Sequence, residues 1–269
     1  MKDYVAENER ILNEWRNQLN QYEYFAPDGI MYKGECRGAY KYYENGEYKF
    51  RWVRIPSGRE NTLWTNAPLR VLFLTKDQNT SGDTAWDVRS ETYWAADENV
   101  TPEERGIDKS FFNSNLVYIL YGILNTTADK QVGYNDFTDN EALSFADEQI
   151  FARINCKKEV GGGKCENYDL QKAIDRDLKL LKEQILNLDA DIFVCCGLMS
   201  FIPNLLNSMG YNFKEQDDDK WIYYDLDNNK LIINSYHLSY SGFDYNGLIT
   251  AYSKFLKKHP DFINSHRKE

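Results

Sequence analysis

Three short apolar runs in this chain each end in a polar side chain that suits chemistry. Asp77 follows the first run, Asn155 ends the second and His237 follows the third. Each run is too short for a core helix and is typical of a buried strand. Because ligands of open α/β sheets bind beyond the carboxyl ends of the strands, we expect the three side chains to meet at one place. A carboxylate and an imidazole brought together suit acid–base and electrostatic catalysis, and an amide suits recognition by hydrogen bonds.

The segment after the first run is polar and long for a simple connection. Gln78 and Asn79 directly follow the carboxylate of Asp77, and residues 80–108 carry glycine and polar residues around Trp86. Long loops inside compact domains are usually functional. We therefore interpret residues 80–108 as an active-site loop.

The loop after the second run carries three lysines and a run of glycines. Glycines let backbone amides approach a phosphate, and lysines neutralise phosphate charge. Two interpretations stay open, a phosphate contact and a plain surface loop. The residues concerned are Gly161, Gly162, Gly163, Lys157, Lys158 and Lys164.

Helix-like and strand-like segments alternate along the chain. A fourth apolar run, residues 191–197, follows the strongly periodic helix 168–188, and a closing helix is predicted over 246–257. Such alternation is typical of a parallel sheet that helices cover on both faces. The sequence therefore predicts a three-layer α/β/α fold around a central, mostly parallel four-stranded sheet. The segments 221–224 and 231–234 are predicted to form an antiparallel pair.

Residues 1–64 precede the first run and differ from it in composition. Residues 3–22 have apolar side chains at helical spacing, which predicts an amphipathic N-terminal helix. Residues 22–64 are rich in aromatic residues, and Asn45 and Gly46 between two aromatic stretches indicate a β-hairpin. Basic residues are interleaved with the aromatic ones, so this β segment is interpreted either as a base-stacking surface or as a sheet face that covers the core.

Length and composition are those of one globular domain. The chain has 269 residues, 42% of them hydrophobic, and a formal net charge of −10. That size supports a single substantial core, and we predict one domain and a monomer. The negative net charge argues against a protein that binds polyanions in general, but it is compatible with a local strip of basic residues. The sequence shows no leader-like start and no apolar run of about 20 residues, so we predict a cytoplasmic protein without a membrane contact.

The chain has five cysteines, which is an odd number, and two of them are adjacent in an apolar run. This usage is typical of reduced thiols rather than of a disulfide framework. A metal site needs more ligands than Cys156 and Cys165 supply, and the sequence contains no C-x-x-C pair. We therefore predict neither a metal nor another cofactor.

The order of these motifs resembles the uracil-DNA glycosylase superfamily. Its members carry a motif of the type G-Q-D-P-Y or G-I-N-P-G after the first sheet strand, where this chain has residues 75–79 with Asp77 at the Asp/Asn position. Some branches end a later strand in asparagine, as this chain does at Asn155. An H-P-S-P-like motif follows the last strand, and residues 237–243 occupy that place here. Residues 191–197 resemble the intervening strand that ends in glycine.

The resemblance covers residues 65–258 and implies one glycosylase-like domain. Residues 1–64 are then an N-terminal extension and residues 259–269 a tail. The implied function is hydrolysis of the N-glycosidic bond of uracil or a modified pyrimidine in single- or double-stranded DNA. In this reaction the sugar becomes cationic and the base leaves as an anion. Asp77 is therefore expected to stabilise the sugar, and His237 is expected to donate a hydrogen bond to the departing base.

The same resemblance implies contacts for neighbouring residues. A base inside a duplex must be flipped out to be reached, so aromatic rings are expected to stack on it. The side chains expected to contact the base are those of Asn155, Gln78, Asn79, Trp86 and Phe112. The side chains expected to contact the rest of the DNA are those of Lys157, Lys158, Lys164, Ser239, Tyr240 and Ser241.

This chain also departs from the superfamily pattern. Thr75 replaces the usual glycine, Gln78 the usual proline and Leu238 the proline after histidine. Backbone geometry at both turns is expected to differ, because glycine and proline have special backbone preferences. The four-cysteine iron–sulfur pattern of some branches is absent, so no cluster is expected. Two alternatives stay open: a non-catalytic nucleic-acid- or protein-binding module that retains the fold, and a hydrolase of free nucleosides or nucleotides.

Overall fold

The computed structural model describes residues 2–19, 24–33, 36–44, 46–78, 85–92, 106–107, 111–162, 165–198, 201–216 and 219–264. The strands within these ranges are β1 (Gly29–Met31), β2 (Cys36–Glu44), β3 (Glu47–Ile55), β4 (Val71–Thr75), β5 (Phe151–Asn155), β6 (Ile192–Cys196), β7 (Lys214–Gln216), β8 (Asp219–Asp225) and β9 (Lys230–Ser235). The helices are α1 (Tyr4–Leu19), α2 (Glu60–Asn66), α3 (Val88–Thr92), α4 (Phe111–Asn125), α5 (Asp139–Asp147), α6 (Asn167–Leu188), α7 (Ile202–Asn207), α8 (Tyr245–Lys258) and α9 (Asp261–Asn264).

Seven of the described strands form one sheet in the order β1-β5-β4-β6-β9-β8-β7. The four central strands, β5, β4, β6 and β9, run parallel to one another. β1 pairs antiparallel with β5 at one edge, and β8 and β7 extend the other edge by antiparallel pairing. Because the central strands are parallel, their carboxyl ends lie at the same end of the sheet, and the residues that follow them are neighbours there.

Helices pack on both faces of this sheet, because successive residues of a strand point to opposite faces. Val71 and Phe73 of β4 belong to a core with α4, α5 and α8. Leu72 and Leu74 belong to a second core with α1 and α6. Every residue of the four central strands is buried. Burial on both faces explains why these strands are mainly apolar instead of alternating between apolar and polar residues.

The predicted α/β class and mostly parallel sheet are confirmed, but the predicted number of four strands is wrong. The sheet has seven strands. Two of the additional strands, β1 and β7, have three residues each, which is too short for a periodic pattern to be visible in the sequence. The antiparallel pair predicted at 221–224 and 231–234 is present in β8 and β9, with Ile222 opposite Ile233.

The N-terminal residues pack against the main sheet. α1 contacts α6 and buries Trp15 completely, and β1 pairs with β5. The predicted hairpin is confirmed: β2 and β3 pair antiparallel with Glu44 opposite Glu47, and Gly46 in the turn has a φ of 85°, which suits glycine. Most aromatic and basic side chains of this hairpin lie outside the described residues, so both interpretations of their role stay predictions.

A fully buried ion pair joins the N-terminal segment to the end of β5. Both carboxylate oxygens of Asp28 accept hydrogen bonds from Lys158 Nζ, at 2.7 and 2.6 Å, and both side chains are 0% exposed. Asp28 also accepts the backbone N–H of Asn155 at 2.7 Å and Nε2 of Gln184 in α6 at 2.8 Å. Burial lowers the pKa of Lys158, and the carboxylate opposes that shift. One carboxylate therefore holds β5, the loop after it and α6 together.

Replacing Lys158 by alanine is expected to destabilise the protein, because the Asp28 carboxylate would stay buried without its cation. Breaking a buried pair from one side costs about 3–5 kcal/mol in the free energy of unfolding. The double variant Asp28→Asn/Lys158→Met removes both charges and is expected to lose less. Urea denaturation followed by circular dichroism measures both values.

Lys179→Ala is the control for this measurement. The side chain of Lys179 is 77% exposed, and its ion pairs are long, at 3.8 and 3.9 Å. Its removal is expected to change stability by no more than about 0.5 kcal/mol. A Lys158→Ala variant as stable as this control would show that the buried pair does not support the fold.

Candidate functional site

The carboxylate of Asp77 lies directly after β4 and faces the loop that follows β5. Its Oδ2 is 3.1 Å from Nζ of Lys157, and the two side chains are 7% and 18% exposed. A Cβ atom added at Gly161 would lie 2.1 Å from the same oxygen. Only a glycine at that position leaves room for the carboxylate. Asp77, Lys157 and Gly161 form one compact group, which we call the carboxylate cluster.

Backbone hydrogen bonds hold the two strand-end segments of this cluster side by side. The N–H of Cys156 donates to the carbonyl of Thr75 at 2.8 Å, and that of Lys157 to the carbonyl of Lys76 at 2.9 Å. The N–H of Gly161 donates to the carbonyl of Gln78 at 2.9 Å. Pairing therefore continues beyond the ends of β4 and β5, and it orders the residues around Asp77.

Asn155 is fully buried at the end of β5, and its amide is partly satisfied. Its oxygen lies 2.5 Å from Oγ1 of Thr75, which donates to it. Its Nδ2 is buried and makes no hydrogen bond with any described residue. Thr75, which stands where the resembling superfamily has glycine, thus fixes the orientation of the amide, and the NH₂ group of Asn155 is left without a partner among the described residues.

His237 lies two residues beyond β9, where the end of β6 approaches its backbone. Gly197 after β6 has a φ of 73°, and a Cβ atom added there would lie 3.2 Å from both the backbone nitrogen and Cβ of His237. Nδ1 of His237 lies 2.6 Å from Oγ of Ser239 and accepts the backbone N–H of Ser239 at 3.3 Å. Nδ1 is therefore occupied within the loop by Ser239.

The pKa of His237 responds to burial and to the charges around the ends of β4 and β5. Burial lowers the pKa of His237 below its ordinary value of 6.5, and the charges of Lys76 and Arg153 lower it further. The carboxylate of Asp77 acts in the opposite direction on the same pKa. The imidazole is therefore neutral at pH 7 and can donate a hydrogen bond without carrying a charge.

Arg153 is a site residue that the sequence analysis missed. It lies on β5, two residues before Asn155 and on the same face of the strand. Its side chain is buried, with the residue 6% exposed, and its Nε is 3.5 Å from Oγ1 of Thr75. A charged residue inside an otherwise apolar strand is the signal that identifies it in the sequence, because buried charges are rare without a partner or a function.

The side-chain amide of Gln78 forms hydrogen bonds with the backbone of Trp86. Nε2 of Gln78 donates to the carbonyl of Trp86 at 3.2 Å, and Oε1 of Gln78 accepts the backbone N–H of Trp86 at 3.3 Å. Both ends of this amide are thus used to hold the loop, which does not fit the predicted base contact of Gln78. The indole N–H of Trp86 is buried and makes no hydrogen bond with any described residue.

The three lysines predicted to contact DNA are placed differently. Lys158 is buried against Asp28 and cannot reach a phosphate in this structure, so its predicted DNA contact is not supported. Sequence reasoning could not separate it from Lys157, because adjacent lysines look alike until a buried carboxylate is placed beside one of them. Lys157 belongs to the carboxylate cluster. Lys164 lies outside the described residues, as do Asn79 and the side chain of Phe112.

The loop after His237 presents its polar and aromatic residues on the surface. Ser239, Tyr240 and Ser241 are exposed, as a contact with DNA requires. The ring of Tyr240, which is 50% exposed, lies 5.1 Å from that of Tyr236. The ring of Tyr236 in turn lies 5.4 Å from that of Trp221 in β8. These three rings form a continuous aromatic row beside His237.

A pocket of about 400 Å³ lies between the first turns of α4 and α8 and the loop after His237. Ser241, Phe243 and Tyr245 line it from one side and Asn115 from the other. Nδ2 of Asn115 also donates to the carbonyl of Leu238, so α4 fixes the loop that carries His237.

Burial keeps the described cysteines near this site protonated. It raises the pKa of Cys156 to about 12 and that of Cys165 to about 11. Neither thiol is suited to act as a thiolate ligand or nucleophile at neutral pH. Within the described part of the chain, no group of three or more histidine, cysteine and acidic side chains is arranged to hold a metal ion. The helices described are also all too short or too polar to cross a membrane.

Gly161→Ala is expected to destabilise the protein by about 1–3 kcal/mol, because the new methyl group would overlap the Asp77 carboxylate. Gly162→Ala is the matched control, since a Cβ atom at that neighbouring position meets nothing within 4 Å. Its stability is expected to be unchanged or slightly raised. Urea unfolding of both variants measures the difference. Equal stabilities would mean that the carboxylate cluster is not packed as described.

The titration of His237 tests whether the charges converge on it. Lys76→Ala removes a positive charge and is expected to raise the pKa of His237, whereas Asp77→Asn removes a negative charge and is expected to lower it. NMR titration of the imidazole signals measures both shifts. His259, whose pKa is lowered by burial and by Lys258, is an internal control that neither variant should move. If the pKa of His237 stays the same in both variants, the charges of Lys76 and Asp77 do not act on its imidazole.

Comparison with known proteins leaves the interpretation to the geometry of the site. No protein-family model matches this chain, and no curated protein matches it significantly.

Proposed function

We propose that this protein is a DNA glycosylase-like hydrolase that cleaves the N-glycosidic bond of uracil or a modified pyrimidine base. One observation carries the proposal. Asp77 and His237 follow different parallel strands of one sheet, and the charge of the Asp77 carboxylate nevertheless acts on the pKa of His237. A carboxylate faces the developing cation of the sugar, and a neutral imidazole faces the developing anion of the base. The resemblance of the motifs to the uracil-DNA glycosylase superfamily points to the same reaction.

The described contacts support a division of roles. Asp77 orients water and stabilises the oxocarbenium-like sugar. His237 donates a hydrogen bond from its neutral imidazole to a carbonyl oxygen of the departing base. The guanidinium of Arg153 supplies positive charge for the anionic base, and burial together with Lys76 and Arg153 keeps His237 neutral. Electrostatic help of this kind needs no full proton transfer.

Asn155 is suited to recognise the base through its NH₂ group. Its oxygen is held by Thr75, so an N–H of the NH₂ group can donate to a carbonyl oxygen such as O4 of uracil. Cytosine has an amino group at that position and would leave the buried donor unpaired, at a cost of about 1–3 kcal/mol. That energy corresponds to a preference for uracil of roughly tenfold to a hundredfold.

The surface around the site is compatible with a nucleic-acid partner. The aromatic row of Trp221, Tyr236 and Tyr240 offers flat rings on which bases can stack. The exposed Ser241 lies in the same loop and can donate a hydrogen bond to a phosphate oxygen. With a net charge of −10, the chain is expected to bind DNA through such local contacts rather than through its overall field.

A second candidate function is a non-catalytic binding module that retains the fold. The ion pair at 3.1 Å between Asp77 and Lys157 favours it, because a carboxylate already paired with a cation is a weaker partner for water or for a cationic sugar. The complete burial of Asn155 favours it as well, because a base must open the site to reach the amide.

A panel of oligonucleotides separates the two functions. The protein is incubated with single- and double-stranded DNA containing uracil or modified pyrimidines, and abasic sites are detected by strand breakage in hot alkali. Asp77→Asn and His237→Ala are each expected to lower the single-turnover rate of excision by about 10² or more.

Asp175→Asn and His259→Ala are matched controls, since the first residue is exposed on α6 and the second lies at the end of α8. Both are expected to keep the wild-type rate. Wild-type rates in both site variants would remove Asp77 and His237 from the mechanism. A folded wild-type protein that binds these DNAs and releases no base would favour the binding module.

A further inference from the structure

We propose that Lys157 gives this protein a second activity, cleavage of the DNA strand at an abasic site through an imine between its ε-amine and the sugar. This inference rests on the proposed function, which leaves an abasic sugar beside Asp77. It goes beyond that function, because hydrolysis of a glycosidic bond requires no amine.

The position of Lys157 supports this role. Its Nζ lies 3.1 Å from Oδ2 of Asp77, the carboxylate that faces C1′ of the sugar in the proposed mechanism. The amine is therefore placed next to the carbon that becomes an aldehyde once the base has left and the ring has opened. Holding two reacting groups together in this way replaces a slow bimolecular encounter.

The side chain of Lys157 is also held in place. It is 18% exposed, and its backbone N–H donates to the carbonyl of Lys76 at 2.9 Å. The next residue, Lys158, is fixed by its buried ion pair with Asp28. Lys157 is thus anchored on both sides of its Cα, and its amine stays near the carboxylate cluster.

The chemistry needs only the groups of this cluster and water. Asp77 accepts a proton from the ammonium, and the neutral amine adds to the aldehyde carbon C1′. A C–N bond forms, and the aldehyde oxygen leaves as water, which gives an imine. Asp77 gives its proton to the departing hydroxyl and, as a carboxylate again, takes a proton from C2′. The C3′–O bond then breaks, its electron pair leaves with the phosphate as a 5′-phosphate end, and the proton passes from Asp77 to that phosphate. Water hydrolyses the imine and restores the amine, so no oxidant or reductant is consumed.

The two neighbouring lysines are not placed for this reaction. Lys158 is 0% exposed and donates to both oxygens of Asp28. Nζ of Lys76 points to α6, where it donates to Oδ1 of Asn167 at 3.2 Å. Of the three lysines that follow β4 and β5, Lys157 is the one whose amine contacts Asp77.

Borohydride trapping on a preformed abasic site tests the proposal. The full-length protein is mixed with an oligonucleotide that already contains an abasic site, and sodium borohydride is added. Hydride reduces an imine to a stable secondary amine, so the wild type is expected to form a covalent protein–DNA adduct on a denaturing gel. Peptide mapping of that adduct is expected to locate the attachment at Lys157.

Lys157→Arg is the decisive variant. Arginine keeps the positive charge next to Asp77 and any contact with phosphate, but it forms no such imine, so the adduct is expected to be lost. Lys172→Ala, which removes an exposed lysine of α6, is expected to trap DNA as the wild type does. A wild-type protein that gives no adduct, or an adduct that persists in Lys157→Arg, would overturn the proposal.

The result is independent of base excision, because the abasic site is supplied. Excision of uracil without a trapped adduct would reject the role of Lys157 and leave the proposed glycosylase activity intact. A trapped adduct without excision of any base would reject the proposed glycosylase activity and keep the imine.

Discussion

The buried ion pair of Asp28 and Lys158 is the interaction on which the arrangement of the site depends. Two charges in a dry interior are costly, and they are tolerated only when hydrogen bonds satisfy them on all sides. Here the carboxylate accepts from Lys158, from the backbone of Asn155 and from Gln184, so a single group connects β5, the loop after it and α6. The geometry of that loop, and with it the position of Lys157, follows from this pair.

Two consecutive lysines in the loop after β5 pair with different carboxylates. Lys158 points inward to a carboxylate that never meets solvent, whereas Lys157 points to Asp77 at the end of the sheet. Gly161 then passes so close to Asp77 that a side chain has no room there. Lys158 therefore belongs to the core, and Lys157 and Gly161 belong to the carboxylate cluster.

The parallel order of the central strands explains why residues far apart in the chain come together. β4 and β9 are separated by β6, and the approach of Gly197 to the backbone of His237 bridges that gap. Asp77 and His237 consequently share one electrostatic environment, to which Lys76 and Arg153 contribute positive charge. Burial and these cations lower the pKa of the imidazole, and the carboxylate of Asp77, which is itself paired with Lys157, acts in the opposite direction.

The sequence by itself determined the α/β class, the four central strands, the hairpin at Gly46 and the polar residues that end the strands. These features are local, because periodicity and turn residues depend on near neighbours. The edge strands β1 and β7, the burial of Lys158, the use of Gln78 to hold Trp86 and the place of Arg153 in the site were decided by the tertiary structure. Three of these depend on a partner that is distant in sequence: β5 for β1, Asp28 for Lys158 and Thr75 for Arg153. A sequence pattern reports that a residue is polar or apolar, but only the fold decides which group lies opposite it.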